Sequence, residues 1–235
     1  MKISLIIPMY NENAVIEQTA NRLSSYMSEC FDEYEIIFFD DGSTDGSRRT
    51  VENMSLANVK VMGSTRNLGK GYAVRQGMLS ADGDIRIFTD ADLAYGTQVI
   101  ERAYEAMCDG QTDVLIGSRN LSKDAYAEYT FIRRMMSKMY VRLVRAFTRL
   151  DTSDCQCGFK AFSAQSAQEI FSACTTDGFS FDLEVLLRAK KAQKRIVEMP
   201  VSIIEHKKSS VKPMRDTLEM LFEIRRIKKK IQREK

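Results

Sequence analysis

Apolar positions in the first half of the chain fall into short runs rich in β-branched and aromatic side chains. These runs predict strands over 4–7, 35–39, 59–62, 85–88 and 114–116. Between them, segments with helical periodicity predict helices near 13–29, 45–55, 69–80 and 97–108. Alternation of this kind predicts an α/β fold, a doubly wound and mostly parallel sheet with flanking helices. Ligands of such sheets gather at the carboxyl ends of the strands. The polar segments there are Pro8-Met9-Tyr10-Asn11-Glu12, Asp40-Asp41-Gly42-Ser43-Thr44-Asp45, Arg66-Asn67-Leu68-Gly69-Lys70-Gly71, Asp90-Ala91-Asp92 and Gly117-Ser118-Arg119. All five are expected on one rim.

From about residue 120 the pattern changes. A helix predicted over 129–150 carries Phe131, Met135, Met139, Leu143 and Phe147 along one stripe. Six cations accompany the stripe (Arg133, Arg134, Lys138, Arg142, Arg145 and Arg149), and the segment holds no acid. A stripe of this kind suits a buried core and a bilayer interface equally. A polar loop over Asp151–Lys160 follows, then helices near 164–172 and 181–192 and a strand near 195–199 that ends at Pro200. An amphipathic basic helix over 214–231 closes the chain. These boundaries predict one domain over 1–205, in halves 1–119 and 120–205, and a tail over 206–235.

Composition sharpens this picture in three places. Hydrophobic residues make up 44% of the 235, enough for a sizeable core. The net charge of +3 conceals an asymmetry, because residues 207–235 hold eleven Lys and Arg against four acids. Such a tail points to an anionic partner, with a solvated helix end as the alternative. Five cysteines, an odd number at irregular spacing, follow no signal peptide and predict free thiols in a reducing cytoplasm. Cys155-Gln156-Cys157 lacks zinc-site spacing, and His206 is the only histidine. No apolar run is long enough to cross a bilayer.

The chemistry is expected in the acidic loops. Residues i and i+2 of an extended segment project to one side, so Asp90 and Asp92 face one point at a strand's end. Two carboxylates held together are costly unless a cation lies between them. Mg²⁺ or Mn²⁺ with open positions for phosphate oxygens resolves that cost. Asp40 and Asp41 end an apolar run, where a carboxylate can accept from a base or from ribose hydroxyls. Gly69-Lys70-Gly71 permits close approach of backbone to phosphate, with Lys70 as a point charge. The loop is neither a Walker A motif nor a G-x-G-x-x-G fingerprint, which argues against kinases and dehydrogenases.

In order and combination these segments resemble the family 2 inverting glycosyltransferases of the GT-A fold. The matches are Ile7-Pro8-x-Tyr10-Asn11-Glu12, Asp40 to Asp45, Arg66-Asn67-x-Gly69-Lys70-Gly71, Asp90-Ala91-Asp92 and Gly117-Ser118-Arg119. The second half resembles the branch of dolichyl-phosphate glucosyltransferases and mannose synthases. There the matches are Asp154-x-Gln156-Cys157-Gly158-Phe159-Lys160, Phe181-Asp182-Leu183-Glu184 and Glu198-Met199-Pro200-Val201.

The resemblance implies roles for these residues. Pro8, Tyr10, Glu12, Asp40 and Asp41 would hold the nucleoside, and Lys70 and Gly71 would lie near the diphosphate or ribose. Asp90, Ala91 and Asp92 would face the sugar phosphate, with Asp90 and Asp92 on the metal. Arg119 and Arg133 would face the acceptor phosphate, and Gln156 and Lys160 would line the sugar and acceptor side. Asp92, Arg119, Arg133 and Lys160 would carry the catalysis. Mannose synthases commonly have Gln where this chain has Ala94, which tilts the donor toward UDP-linked glucose over GDP-linked mannose. Many relatives have Trp at the position of His206.

The implied reaction is inverting hexose transfer to dolichyl or undecaprenyl phosphate at the cytosolic face of a membrane. The implied partners are an anionic membrane surface and a second copy or a membrane protein, with no nucleic acid. A lipid phosphate, with a second pKa of about 6, is already a dianion at neutral pH and needs no general base. Transfer to a sugar hydroxyl would need one, and Asp154 and Asp182 are the candidates. A phosphatase using Asp-x-Asp would carry that pair after the first strand, whereas here it follows the fourth. A nucleotide-binding membrane adaptor would leave the acidic rim without a task.

Overall fold

The structure, a computed structural model, describes residues 1–122, 141–178, 180–204 and 224–233. Its strands are β1 (Ile3–Met9), β2 (Tyr34–Asp41), β3 (Val59–Ser64), β4 (Ile85–Phe88), β5 (Val114–Ser118), β6 (Lys160–Ser163) and β7 (Ile196–Pro200). The helices of the first half are α1 (Ile16–Cys30), α2 (Ser47–Met54), α3 (Lys70–Ser80) and α4 (Gln98–Met107). Those of the second half are α5 (141–148), α6 (Ala164–Ala173), α7 (Phe181–Lys191) and α8 (224–233). All six predicted strands form, each within a few residues of its expected bounds.

The strands make one sheet in the order β3-β2-β1-β4-β6-β5-β7. Only β6 runs against its neighbours, pairing antiparallel with both β4 and β5. The polar loop expected up to Lys160 therefore ends where β6 begins. Four residues starting with a lysine are too short for a strand pattern to register. The polarity of β6 has a consequence for function. The carboxyl ends of β1 to β5 and β7 share a rim with the amino end of β6, so Lys160 lies among the loops of the first half. The two expected halves of the domain thus contribute strands to one sheet.

Burial explains why these segments became strands. All eight residues of β2 are buried, as expected of a strand covered on both faces. On one face Ile3, Leu5 and Ile7 pack with Leu23 and Met27 of α1 and with Val99, Ile100 and Ala103 of α4. On the other, Ile6, Phe88 and Phe162 pack with Val74 of α3, Phe171 of α6 and Leu186 of α7. Leu23 and Met27, like Ile16 and Ala20 before them, recur at helical spacing and turn one face of α1 to the sheet.

The second core also takes in α5 and α8. Val144 of α5 and Ile224, Ile227 and Ile231 of α8 are buried in it, while Arg142, Arg145, Arg225, Arg226, Lys229, Lys230 and Arg233 are exposed. Lys228 Nζ donates to the Phe147 carbonyl at 2.5 Å, and the Arg225 guanidinium lies 5.4 Å from the Phe147 ring. In these parts the buried apolar positions of both basic helices join the core, Phe147 packs against it half-buried, and most of the cations face outward. α8, which lies within the segment expected as a basic tail, packs on the domain through Ile224, Ile227 and Ile231. The rest of the predicted 129–150 and 214–231 helices, with Arg133 and His206, lies outside the described residues.

Candidate active site

The first two loops of the rim are joined to each other. Asn11 has a φ of 54°, the left-handed region that an Asn tolerates, and its Oδ1 accepts from the Thr44 N–H at 2.9 Å. The N–H groups of Asn11 and Glu12 donate to Ser43 Oγ and Ser47 Oγ, each at 2.9 Å, and that of Asn13 donates to Asp45 Oδ2. The Asp40 carboxylate accepts from the Ser43 N–H and turns the chain at the end of β2. Tyr10 is left exposed beside half-buried Pro8 and Glu12. These bonds give the loops after β1 and β2 a fixed shape.

Asp41 has a different task. Its carboxylate accepts from the N–H groups of Leu68 and Gly69 at 2.8 and 2.7 Å, and so holds the 66–69 loop against the end of β2. Gly69, at a φ of 110°, and Gly71 allow a close approach of backbone, as the sequence suggests, but the visitor is the 176–178 loop. A Cβ at Gly69 would overlap the Asp177 carbonyl, and one at Gly71 would overlap that of Thr176. The N–H groups of Gly71 and Tyr72 both donate to the Asp177 carbonyl. The start of α3 is thereby fixed, and its leading side chain, Lys70, projects at the rim.

Lys70 Nζ pairs with Asp90 Oδ1. Burial works against the Lys70 charge, but Asp90, Asp182 and Asp92 outweigh it and raise the ammonium above the ordinary lysine range. Asp90 is held from behind. A Cβ at Gly158 would overlap its carboxylate, so only glycine fits there, and Thr19 Oγ1 donates to the next carbonyl, that of Ala91, at 2.7 Å. Asp92 Oδ1 accepts from the Ala94 N–H at 3.1 Å, which closes a turn in which Leu93 and Gly96 both have positive φ.

This arrangement suits a hard divalent cation. A cationic group already sits on Asp90, with Asp92 two residues on. Among the described residues no three His, Cys, Asp or Glu side chains converge. The protein would offer two carboxylates and leave the other positions to phosphate oxygens and water, as Mg²⁺ and related ions require.

Behind this pair Lys160 has no exposed surface. Its ammonium bonds to Asp182 and donates to the Cys157 carbonyl at 2.7 Å, with the Phe88 ring 5.4 Å away. Burial pushes the Asp182 carboxyl upward, against the pull of Lys160 and Lys70. Lys160, expected on the sugar and acceptor side, is enclosed here and bonds to the Cys157 carbonyl in the 154–158 loop. Gln156 of that loop is exposed.

Arg119 and Asp154 form a second fixed pair. Nε and Nη2 donate to the two carboxylate oxygens at 2.6 and 2.9 Å, and the Arg119 N–H donates to Oδ2 as well. Burial would raise the Asp154 carboxyl, but Arg119 outweighs it and holds it below the usual carboxylate range. Glu198 of β7 accepts from the Ser153 N–H and Oγ, both at 2.7 Å, and steadies the loop. The rim thus brings together Pro8, Tyr10, Glu12, Asp40, Asp41, Lys70, Gly71, Asp90, Ala91, Asp92, Arg119 and Gln156. Asp177 and Gly158 were missed as site-shaping residues. Neither role has a local signature, because each acts on a segment far away in sequence.

Comparison with known proteins accords with this geometry. The model of "Glycosyl transferase family 2" matches residues 4–171. Glycosyltransferase AglD of Haloferax volcanii is 32% identical over 231 residues, which span 96% of this chain and 37% of that protein. A dolichyl-phosphate beta-glucosyltransferase of Dictyostelium discoideum is 28% identical over 240 residues, 96% of this chain and 73% of that one. Among solved structures, glucosyl-3-phosphoglycerate synthase from Mycobacterium tuberculosis, in complex with Mn²⁺, UDP and phosphoglyceric acid, superposes with a TM-score of 0.70 at 18% identity. That match covers 96% of this chain and 76% of that one. The fold is GT-A.

Proposed function

The chain belongs to glycosyl transferase family 2, and from that premise we propose that it transfers glucose from UDP-glucose to a polyprenyl phosphate. The reaction inverts the anomeric centre and uses Mg²⁺ or Mn²⁺ held by Asp90 and Asp92. The observation that carries this reading is the state of the two carboxylates that could otherwise serve as base. Asp154 is buried in a bidentate pair with Arg119, and Asp182 is buried on Lys160. A base must reach its proton and be free to take it, and both groups are committed to cations. An acceptor that arrives as an anion removes the need. The names of the relatives support the same choice, since several are dolichyl-phosphate beta-glucosyltransferases.

In this reading Tyr10, Glu12 and Asp40 bound the nucleoside pocket, and Asp41 acts through the 66–69 loop. Asp90 and Asp92 meet the diphosphate end, and Lys70 stands beside them. Arg119 and Arg133 are assigned to the acceptor phosphate, and Gln156 to the sugar and acceptor side. A bound divalent cation would neutralise charge on the departing nucleoside diphosphate. The residues contribute mainly position and field, which in a partly water-excluded rim are worth more than in water.

The exposed cations of α5 and α8 support attachment to an anionic membrane at its cytosolic face. Where α5 and α8 are described, their contribution to that contact is electrostatic, at about 1 kcal/mol per basic residue close to the surface. No helix among the described residues is long and apolar enough to cross a membrane.

Nucleotide release from a panel of nucleotide-sugars, with and without polyprenyl phosphate, tests the reading. UDP release from UDP-glucose should depend on the lipid phosphate and exceed GDP release from GDP-mannose. Release that ignores the lipid, or a preference for GDP-mannose, would contradict the acceptor or the donor respectively.

A further inference from the structure

The Lys70–Asp90 pair joins a fixed partner to a movable one. Asp90 is backed by Gly158, where even a Cβ would overlap its carboxylate. Lys70 is rooted at the first residue of α3, whose start is held by the Asp177 carbonyl, but its ammonium rides on a flexible four-carbon stem. The pair is not sealed, since the Lys70 and Asp90 side chains retain 23% and 32% of their exposure. This differs from Lys160, which is enclosed with Asp182. Among the described residues the charged groups that face Lys70 are Asp90, Asp92 and Asp182, and the last already has a lysine of its own.

We propose that Lys70 is an exchangeable counter-ion for Asp90. The ammonium holds the carboxylate until a divalent cation takes that oxygen, and the displaced ammonium then turns to the donor's diphosphate. The inference rests on the assignment of Asp90 and Asp92 to a metal. It adds that lysine and metal compete for one carboxylate, and that metal and nucleotide favour each other's binding because the lysine changes partners. An ammonium and a divalent cation on one carboxylate repel each other, so the ammonium weakens metal binding until an anion draws it away. By linkage, the nucleotide must tighten the metal by the same factor as the metal tightens the nucleotide.

The test is Mn²⁺ affinity of the full chain, read from the paramagnetic resonance signal of free Mn²⁺ and so independent of turnover. Without nucleotide, Lys70→Met should bind Mn²⁺ about ten-fold more tightly than the wild type, within the usual range of coupling between sites. Lys70→Arg, which keeps a cation, should show no gain. Added UDP should tighten Mn²⁺ in the wild type by several-fold more than in Lys70→Met. Lys70→Gln gives the same reading if the Met variant does not fold. Equal or weaker Mn²⁺ binding in the neutral variants, with Asp92→Asn still abolishing it, would overturn the exchange alone. Mn²⁺ binding that Asp92→Asn leaves intact would overturn the metal assignment and the exchange with it.

Discussion

Asp92→Asn lowers sugar transfer by about a thousand-fold or more while the protein stays folded. A loss of that size corresponds to about 4 kcal/mol of transition-state stabilisation, at ~1.4 kcal/mol per decade. The expectation follows from the position of Asp92. It is the second of the two carboxylates offered at the end of β4, and no third His, Cys, Asp or Glu joins them among the described residues. Removing one of two charged ligands leaves little to hold a cation against the diphosphate. Asn is a cleaner replacement than Ala. Its side-chain oxygen can still accept from the Ala94 N–H, so the turn through Leu93 and Gly96 survives and only the charge is lost. Asp92→Ala should abolish transfer as well, with some loosening of the turn. Steady-state kinetics with circular dichroism as the folding control decide the matter, and normal turnover in either variant would refute the metal assignment.

The largest expected effect on stability belongs to Asp182→Ala. That change strands the Lys160 ammonium, which has no exposed surface, with the Cys157 carbonyl as its one remaining hydrogen-bond partner among the described residues. Breaking a buried pair by removing one partner costs about 3–5 kcal/mol, because the remaining charge is uncompensated. Urea denaturation would read this as a lower midpoint at unchanged slope. The companion double variant Lys160→Met/Asp182→Leu should recover most of the loss, since replacing both charges with apolar groups is often neutral. If the single variant is as stable as the wild type, the pair is not the buried support for the site described above. If the double variant is as unstable as the single one, packing and not charge is responsible.

The two residues show what could and could not be read from the chain. Asp92 was visible because it stands two places from Asp90 after a short, mostly apolar strand, a pattern confined to one short segment. The strands were visible for the same reason. β2 is buried at every position, so its composition declares it. β6 did not declare itself, because its identity depends on slotting between β4 and β5, which no local pattern encodes. The enclosure of Lys160 against Asp182 was hidden by the same route, since it depends on that antiparallel pairing.

Gly69-Lys70-Gly71 is a middle case. Its glycines do mark a close approach of backbone, but the partner is the Asp177 carbonyl, contributed by the loop before α7. Amphipathic helices pose the same difficulty. Ile224, Ile227 and Ile231 form a stripe that fits a bilayer interface or a protein core, and only the neighbouring α5 and α7 decide for the core.

The central claim is that the acceptor is a lipid phosphate whose own charge makes a protein base unnecessary. The most direct measurement compares glucose transfer from UDP-glucose to polyprenyl phosphate and to the matching polyprenol across pH. The account predicts transfer to the phosphate alone, at a rate that rises with pH through about 6 as the acceptor becomes a dianion and is level above. Comparable transfer to the alcohol, or to a sugar hydroxyl offered in its place, would contradict it.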